Sequence, residues 1–228
     1  VGGLAEELFR AADAFVGHIK GGLAHATVVA SAGFGGPCGS SIATAATMSK
    51  VAYPVMRKMG YSTELSTGVL AAGGTLGILI PPSITMVVYA VAADASVIRL
   101  FLAGFFPGFL LMALFSGYIG WWSLRHPDQV PPPEPEMGWW DKIKSSGNLI
   151  PCSLLIVFIV WVLVAGIATA TECAAYGVLV SLAIAAAGRT LTWQNFWQGL
   201  VGATRVSCMI MFILAGAAFL TKTMAFTG

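Results

Sequence analysis

Charge is what this chain has least of. Asp, Glu, Lys and Arg make up 10% of its 228 residues, while 57% are hydrophobic. A water-soluble domain has about a quarter of its residues charged, so an ordinary soluble domain is excluded. The mean hydropathy of +0.82, and several runs near the roughly 20 apolar residues of a spanning helix, predict an all-α integral membrane protein. A net charge of +2 provides no basic field, so nucleic acid is not expected as a partner. The four cysteines, Cys38, Cys152, Cys173 and Cys208, lack CxxC or metal spacing and read as small apolar fillers. The apolar stretches contain no nucleophile–base pair and no metal cluster, so neither an enzyme nor a cofactor is expected. The sequence starts at Val1 and stops at Gly228, directly after an apolar run, which predicts a piece of a longer protein.

The apolar segments set out a multi-span helical bundle. Residues 1–21 read as an amphipathic arm in the membrane interface, with Leu4, Leu8, Phe15 and Ile19 near one face. A short-limbed hairpin and its cytoplasmic loop occupy 22–60, a broken transmembrane helix 61–97 and a further span 98–124. The Pro-rich segment 125–148 has no apolar period and reads as a loop between two halves. Two spans over 149–189 follow, then a second interfacial arm at 190–204 striped by Trp193, Phe196, Trp197 and Leu200, and a last span at 205–228. Thr169 and Glu172 have the spacing of a capping box, with Thr169 starting the helix that Glu172 enters.

Two segments contain breakers where a membrane chain can least tolerate them. Residues 64–95 as one straight helix would measure about 48 Å, against a hydrocarbon core about 30 Å thick. Within them stand Gly73, Gly74, Gly77, Pro81 and Pro82. Proline removes an amide donor and clashes with the preceding turn. The pattern predicts a half-helix to Gly73, an irregular stretch, and a second half-helix from Pro82. In 22–49, an apolar limb about 16 Å long meets GFGGPCGSS, residues 33–41, and predicts a re-entrant hairpin with a glycine-rich tip. Irregular backbone at that depth requires protein cover or a watery cavity. Two such breaks close in sequence predict one site. Unwound carbonyls in broken transporter helices coordinate cations, and half-helix N-termini face anionic groups. The hairpin offers Ser40, Ser41 and Thr44. The broken helix offers Thr75 and Ser83.

Neither 26–49 nor 65–93 contains Asp, Glu, His, Lys or Arg. Membrane proton relays run through such groups. Neutral oxygens suit a hard monovalent cation instead, which favours sodium over protons, with Ser41 and Thr75 as side-chain ligands. His25, at the hairpin mouth, reads as an interfacial imidazole. If 22–49 enters and leaves on one side, Lys20, Lys50, Arg57, Lys58, Arg125, Lys142, Lys144, Arg189 and Arg205 share one face, with Arg99 and Lys222 opposite. By the positive-inside rule the shared face is cytoplasmic.

The stretches GGLAHATVVASAGFGGPCGSSIATAATMSKVAYPVMRKMGY, LAAGGTLGILIPPSITMVVY and GIATATECAAYGVLV resemble the large membrane subunit of tripartite ATP-independent periplasmic (TRAP) transporters. The similarity covers essentially the whole chain. It implies the permease of a secondary transporter in a bacterial or archaeal inner membrane. Such a permease imports an organic acid by symport with sodium, has no other cofactor, and works with a small membrane subunit and a periplasmic solute-binding protein. It also implies an elevator-type fold of two inverted repeats. On this sequence the resemblance places Gly39, Ser40 and Ser41 at the hairpin tip, and Gly74, Thr75, Gly77, Pro81 and Pro82 in the broken helix. Many members carry an Asp shortly after the tip serines, in an S-A-x-A-D run. Here that place falls to Thr44 or Ala45. The rival reading is an ion channel or passive pore built on a re-entrant loop, from which saturable uptake requiring a binding protein would distinguish a transporter.

Overall fold

The computed structural model describes residues 2–132, 142, 150–187 and 191–227. Most of the Pro-rich segment, including Lys144, and Arg189 lie outside the described residues, as does the side chain of Leu4. The described residues form nine α-helices and no strand: α1 (Gly2–Val16), α2 (Gly22–Cys38), α3 (Ser41–Lys58), α4 (Thr63–Leu79), α5 (Ile84–Ala92), α6 (Val97–Arg125), α7 (Ile150–Val164), α8 (Ala170–Ala187) and α9 (Trp193–Thr227). The protein is all-α.

Helices α1 to α4 form the main core, with Ile119 of α6 closing it. Met48, Ala52 and Met56 lie along one face of α3 and are fully buried there. Helix α1 is docked on the hairpin through Ala5, Phe9 and Ala12. Its buried face is therefore turned from the expected stripe: Leu8 packs against the core, but Phe15 and Ile19 stay exposed. This face of α1 meets α2 closely: Leu8 reaches to within 3.1 Å of where a Cβ on Gly33 would stand. A smaller core joins Phe101 of α6 to Val162 and Leu163 of α7 and Cys173 of α8.

By length and composition, α6 and the segment Trp193–Phe226 can each cross a membrane, and α4 with α5, bent by 43°, makes a third crossing if taken as one span. Helices α7 and α8 are apolar but shorter, at 15 and 18 residues. They pack antiparallel, with Gly177 against Ile159. The stripe at 190–204 and the span at 205–228, separate in the sequence reading, share one continuous 35-residue helix from Trp193. Nothing between Gln198 and Arg205 breaks it: Gly199 and Gly202 are tolerated helically, and no proline intervenes.

The capping box forms. The Thr169 amide donates to a Glu172 carboxylate oxygen at 2.8 Å and the Glu172 amide to Thr169 Oγ1 at 3.4 Å. His25 is buried between α2 and α6, with Nδ1 2.9 Å from the Gly21 carbonyl and Nε2 3.1 Å from that of Ser116.

Candidate functional site

The hairpin turns on two residues only. Helix α2 runs through GFGGPC to Cys38, and the non-helical tip is Gly39 and Ser40. The expected irregular tip over 33–41 is thus far narrower. Gly39 ends α2 in the left-handed region (φ 62°), where its N–H donates back to the Gly35 carbonyl at 2.7 Å, a conformation that favours glycine. Ser40 is extended and caps α3, accepting at Oγ from the Ala43 amide at 3.4 Å.

The break in the second element is also shorter and later than expected. Helix α4 continues through Gly73, Gly74 and Gly77 to Leu79, and the non-helical stretch is Ile80–Ser83. Those glycines are packing positions. Ser31 and Gly35 on α2 lie beside Gly73 and Gly77 on the parallel helix α4. A Cβ on Gly73 would stand 2.7 Å from Ser31 Oγ, one on Gly77 2.8 Å from Thr44 Oγ1 and 3.2 Å from Gly35 Cα. Small residues four apart let helices approach this closely in membranes. Gly74 faces α3, where its Cβ would stand 3.1 Å from the Ser41 carbonyl oxygen.

The prolines set the end of α4 by a simple count. Four residues after Gly77 and Ile78 come Pro81 and Pro82, which have no N–H to give, so both carbonyls lose their helical donors. Ile78 is compensated: Ser83, buried, donates its hydroxyl to the Ile78 carbonyl at 2.9 Å. Ser83 therefore ties the break together instead of capping α5, whose N-terminus has no side-chain cap. Pro81 and Pro82 precede α5 and do not enter its first turn, and the peptide between them is cis.

The two irregular stretches meet. A Cβ on Gly39 would stand 2.9 Å from the Ile84 amide nitrogen, and one on Gly36 3.3 Å from the Pro81 carbonyl oxygen. From the other side α6 closes over the break: a Cβ on Gly104 would stand 2.9 Å from the Leu79 carbonyl oxygen, and one on Gly108 2.9 Å from Ile80 Cγ1. Helices on two sides cover backbone that would otherwise be stranded in lipid. The tip sets Gly39, two residues before α3, against Ile84, the first residue of α5, so the N-termini of the two helices lie near one another.

The hydroxyls differ in their freedom. Thr75 is exposed and donates to the Ala72 carbonyl at 2.7 Å, which leaves its lone pairs available. Thr44 is fully buried, and its Oγ1 has no hydrogen-bond partner among the described residues. Ser31 Oγ is likewise buried and unpartnered. The sequence reading passed over Ser31. The signal was its position four residues before Gly35, on the face that meets Gly73. Among the described residues, no Asp, Glu, Lys, Arg or His lines the recess of about 440 Å³ beside Pro81 or the one of about 400 Å³ beside Ser83.

Residues 1–228, the whole chain, match the family described as the tripartite ATP-independent periplasmic transporter, DctM component. The chain belongs to the DctM family. It is 42% identical over 186 residues to the C4-dicarboxylate TRAP transporter large permease protein DctM of Vibrio cholerae, covering 81% of this chain and 40% of that protein. It is 37% identical to the DctM protein of Pseudomonas aeruginosa, covering 95% of this chain and 50% of that one. Against the 2,3-diketo-L-gulonate TRAP transporter large permease protein YiaN of Escherichia coli the identity is 30%, over 95% and 50%. The chain thus spans about half the length of these relatives. As a DctM-family chain it is an integral membrane protein.

Proposed function

We propose that this chain is the part of a TRAP large permease that holds one half of a sodium-coupled organic-acid site, in an elevator-type transporter of two inverted repeats in the inner membrane. The observation that carries the reading is the seating of the Gly39–Ser40 tip on the Ile80–Ser83 break. Two uncapped or lightly capped helix N-termini suit a carboxylate, because their amides point outward and the helix dipoles favour negative charge. The names of its relatives support an acid as cargo: a C4-dicarboxylate in Vibrio cholerae, a diketo-gulonate in Escherichia coli. Sodium is favoured because the oxygens around the break are neutral hydroxyls and carbonyls, and neither 26–49 nor 65–93 contains Asp, Glu, His, Lys or Arg. Ser41, Thr44 and Thr75, with the Gly77 carbonyl that Pro81 deprives of a donor, are the candidate ligands. Gly74 and Ser83 shape the surroundings. Delivery by a periplasmic binding protein and completion by a small membrane subunit are part of the same proposal, supported by the family's description as tripartite and periplasmic. The test is reconstitution of the full-length protein with both partners in proteoliposomes. Saturable uptake of a dicarboxylate or sugar acid that needs the binding protein and an inward sodium gradient is expected. Uptake indifferent to both would overturn the proposal in favour of a passive pore.

A further inference from the structure

A groove of about 610 Å³ opens between α2, α4 and α6, away from the break. It is graded from one end to the other. At the ends of α4 and α6 that adjoin Lys58 and Arg125, its wall carries Glu64, Tyr118 and Trp122; deeper in, Val69, Leu111 and Phe115 leave it wholly apolar. Helix α4 starts and α6 ends at this same level, and the Ser62 amide donates to the Gln129 carbonyl at 3.2 Å, tying the two ends together. Arg125 lies over the Trp121 ring, 5.2 Å from its centroid. Basic and aromatic residues together mark the headgroup level. The groove therefore runs from the headgroups inward along the acyl chains.

We propose that this groove binds one aminophospholipid of the leaflet on the Lys58–Arg125 side, with an acyl chain between α4 and α6 and the headgroup ammonium at Glu64. Four observations select that occupant. The volume falls in the range of sites that enclose small ligands. The apolar depth suits a hydrocarbon chain and offers no partner for a polar one. Glu64 is exposed at the mouth with no ion pair among the described residues; Arg57 donates to the Tyr61 carbonyl at 2.7 Å, three residues before it, and Arg125 follows Trp122 of the groove wall by three residues. A carboxylate there repels an anionic headgroup and attracts a cationic one, whereas the bases at that end attract its phosphate. Tyr118 adds an exposed phenol at the same level. The floor is open at Gly68, where an added Cβ would meet no atom within 4 Å.

That openness supplies the test. The full-length protein is extracted in a mild detergent and its retained phospholipids are counted by native mass spectrometry. The wild type retains a phosphatidylethanolamine, and Gly68→Leu, which fills the groove with a better helix former, loses it. Glu64→Gln still retains a lipid but loses the preference for phosphatidylethanolamine over phosphatidylglycerol. Equal retention in wild type and Gly68→Leu overturns the proposal, as does unchanged headgroup preference in Glu64→Gln. Should Gly68→Leu fail to assemble, wild type is irradiated with phosphatidylethanolamine carrying a diazirine in its acyl chain. Adducts on residues 63–79 and 108–124 are expected. Their absence, as when another helix of the full-length chain fills the groove, overturns the assignment.

Discussion

Thr44 holds its hydroxyl 2.8 Å from the point where a side chain on Gly77 would begin. One residue lies in the second limb of the hairpin and the other in the last turn of α4 before the break, so the contact joins the two interrupted elements. Its first consequence concerns packing. Gly77→Ala forces the new methyl against both Thr44 and the Gly35 backbone, and overpacking of this kind costs about 1–3 kcal/mol. Gly68→Ala, with no atom within 4 Å of the added carbon, is expected to be neutral or to stabilise by up to about 1 kcal/mol. Thermal unfolding of the two full-length variants, side by side, measures the difference.

Thr44→Val separates stability from ion binding. The native hydroxyl is buried without a partner among the described residues, and burying an unsatisfied hydroxyl costs about 1–3 kcal/mol. Valine keeps the shape and removes that cost. The variant is expected to melt no lower than wild type while needing more sodium for half-maximal uptake. A lower melting temperature with unchanged sodium dependence would assign Thr44 to structure alone.

Ser41→Ala and Thr75→Ala should each raise the sodium concentration for half-maximal uptake without loss of assembly. Thr75 is exposed and, among the described residues, bonds only within its own helix, so its hydroxyl is expected to be dispensable for the fold. Unchanged sodium dependence in both variants would leave the ion to backbone carbonyls and Thr44.

Replacing Pro81 and Pro82 together with alanine returns two amide donors to the carbonyls of Gly77 and Ile78. An interior proline disfavours helix by about 3 kcal/mol relative to alanine, so α4 gains a strong incentive to continue through the break. The double variant should insert and assemble with equal or better thermal stability, yet transport poorly, because the carbonyls at the break become ordinary helical acceptors. Sodium-driven uptake measured beside the melting temperature decides it. Full uptake by a stable protein would remove the prolines from the site's upkeep.

Orientation is tested by single cysteines in a background without the native ones. A cysteine at Lys58 should react with an impermeant reagent only from the cytoplasmic side, and one at Ala95, past the end of α5, only from the periplasm. Labelling of position 58 from the periplasm would invert the charge-based orientation.

Much of this was legible in residues alone, and for definable reasons. Membrane residence followed from scarce charge, because a charged group in hydrocarbon is too costly to be common. The interruption of α4 followed from Pro81 and Pro82, which lack N–H groups in any context. The capping box at Thr169 and Glu172 closed as written, since both partners lie within one turn. Less legible was what the glycines were for. Gly33 to Gly39 and Gly73 to Gly77 have the composition of unwound backbone, yet most are helical. Low helix propensity is a penalty of about 1 kcal/mol per glycine, and close approach of α2, α3 and α4 overrides it.

The sequence by itself determined that the chain is helical, lies in a membrane, and breaks near residue 80. Those properties rest on local chemistry: apolar side chains, missing donors, caps. Only the tertiary structure decided that the hairpin tip is two residues long and rests against the break, that Ser31 pairs with Gly73 and Thr44 with Gly77, and that His25 joins α2 to α6. Each of these depends on which helices become neighbours. No pattern within one segment records that, because a glycine that unwinds a helix and a glycine that admits another helix are the same residue until the second helix arrives.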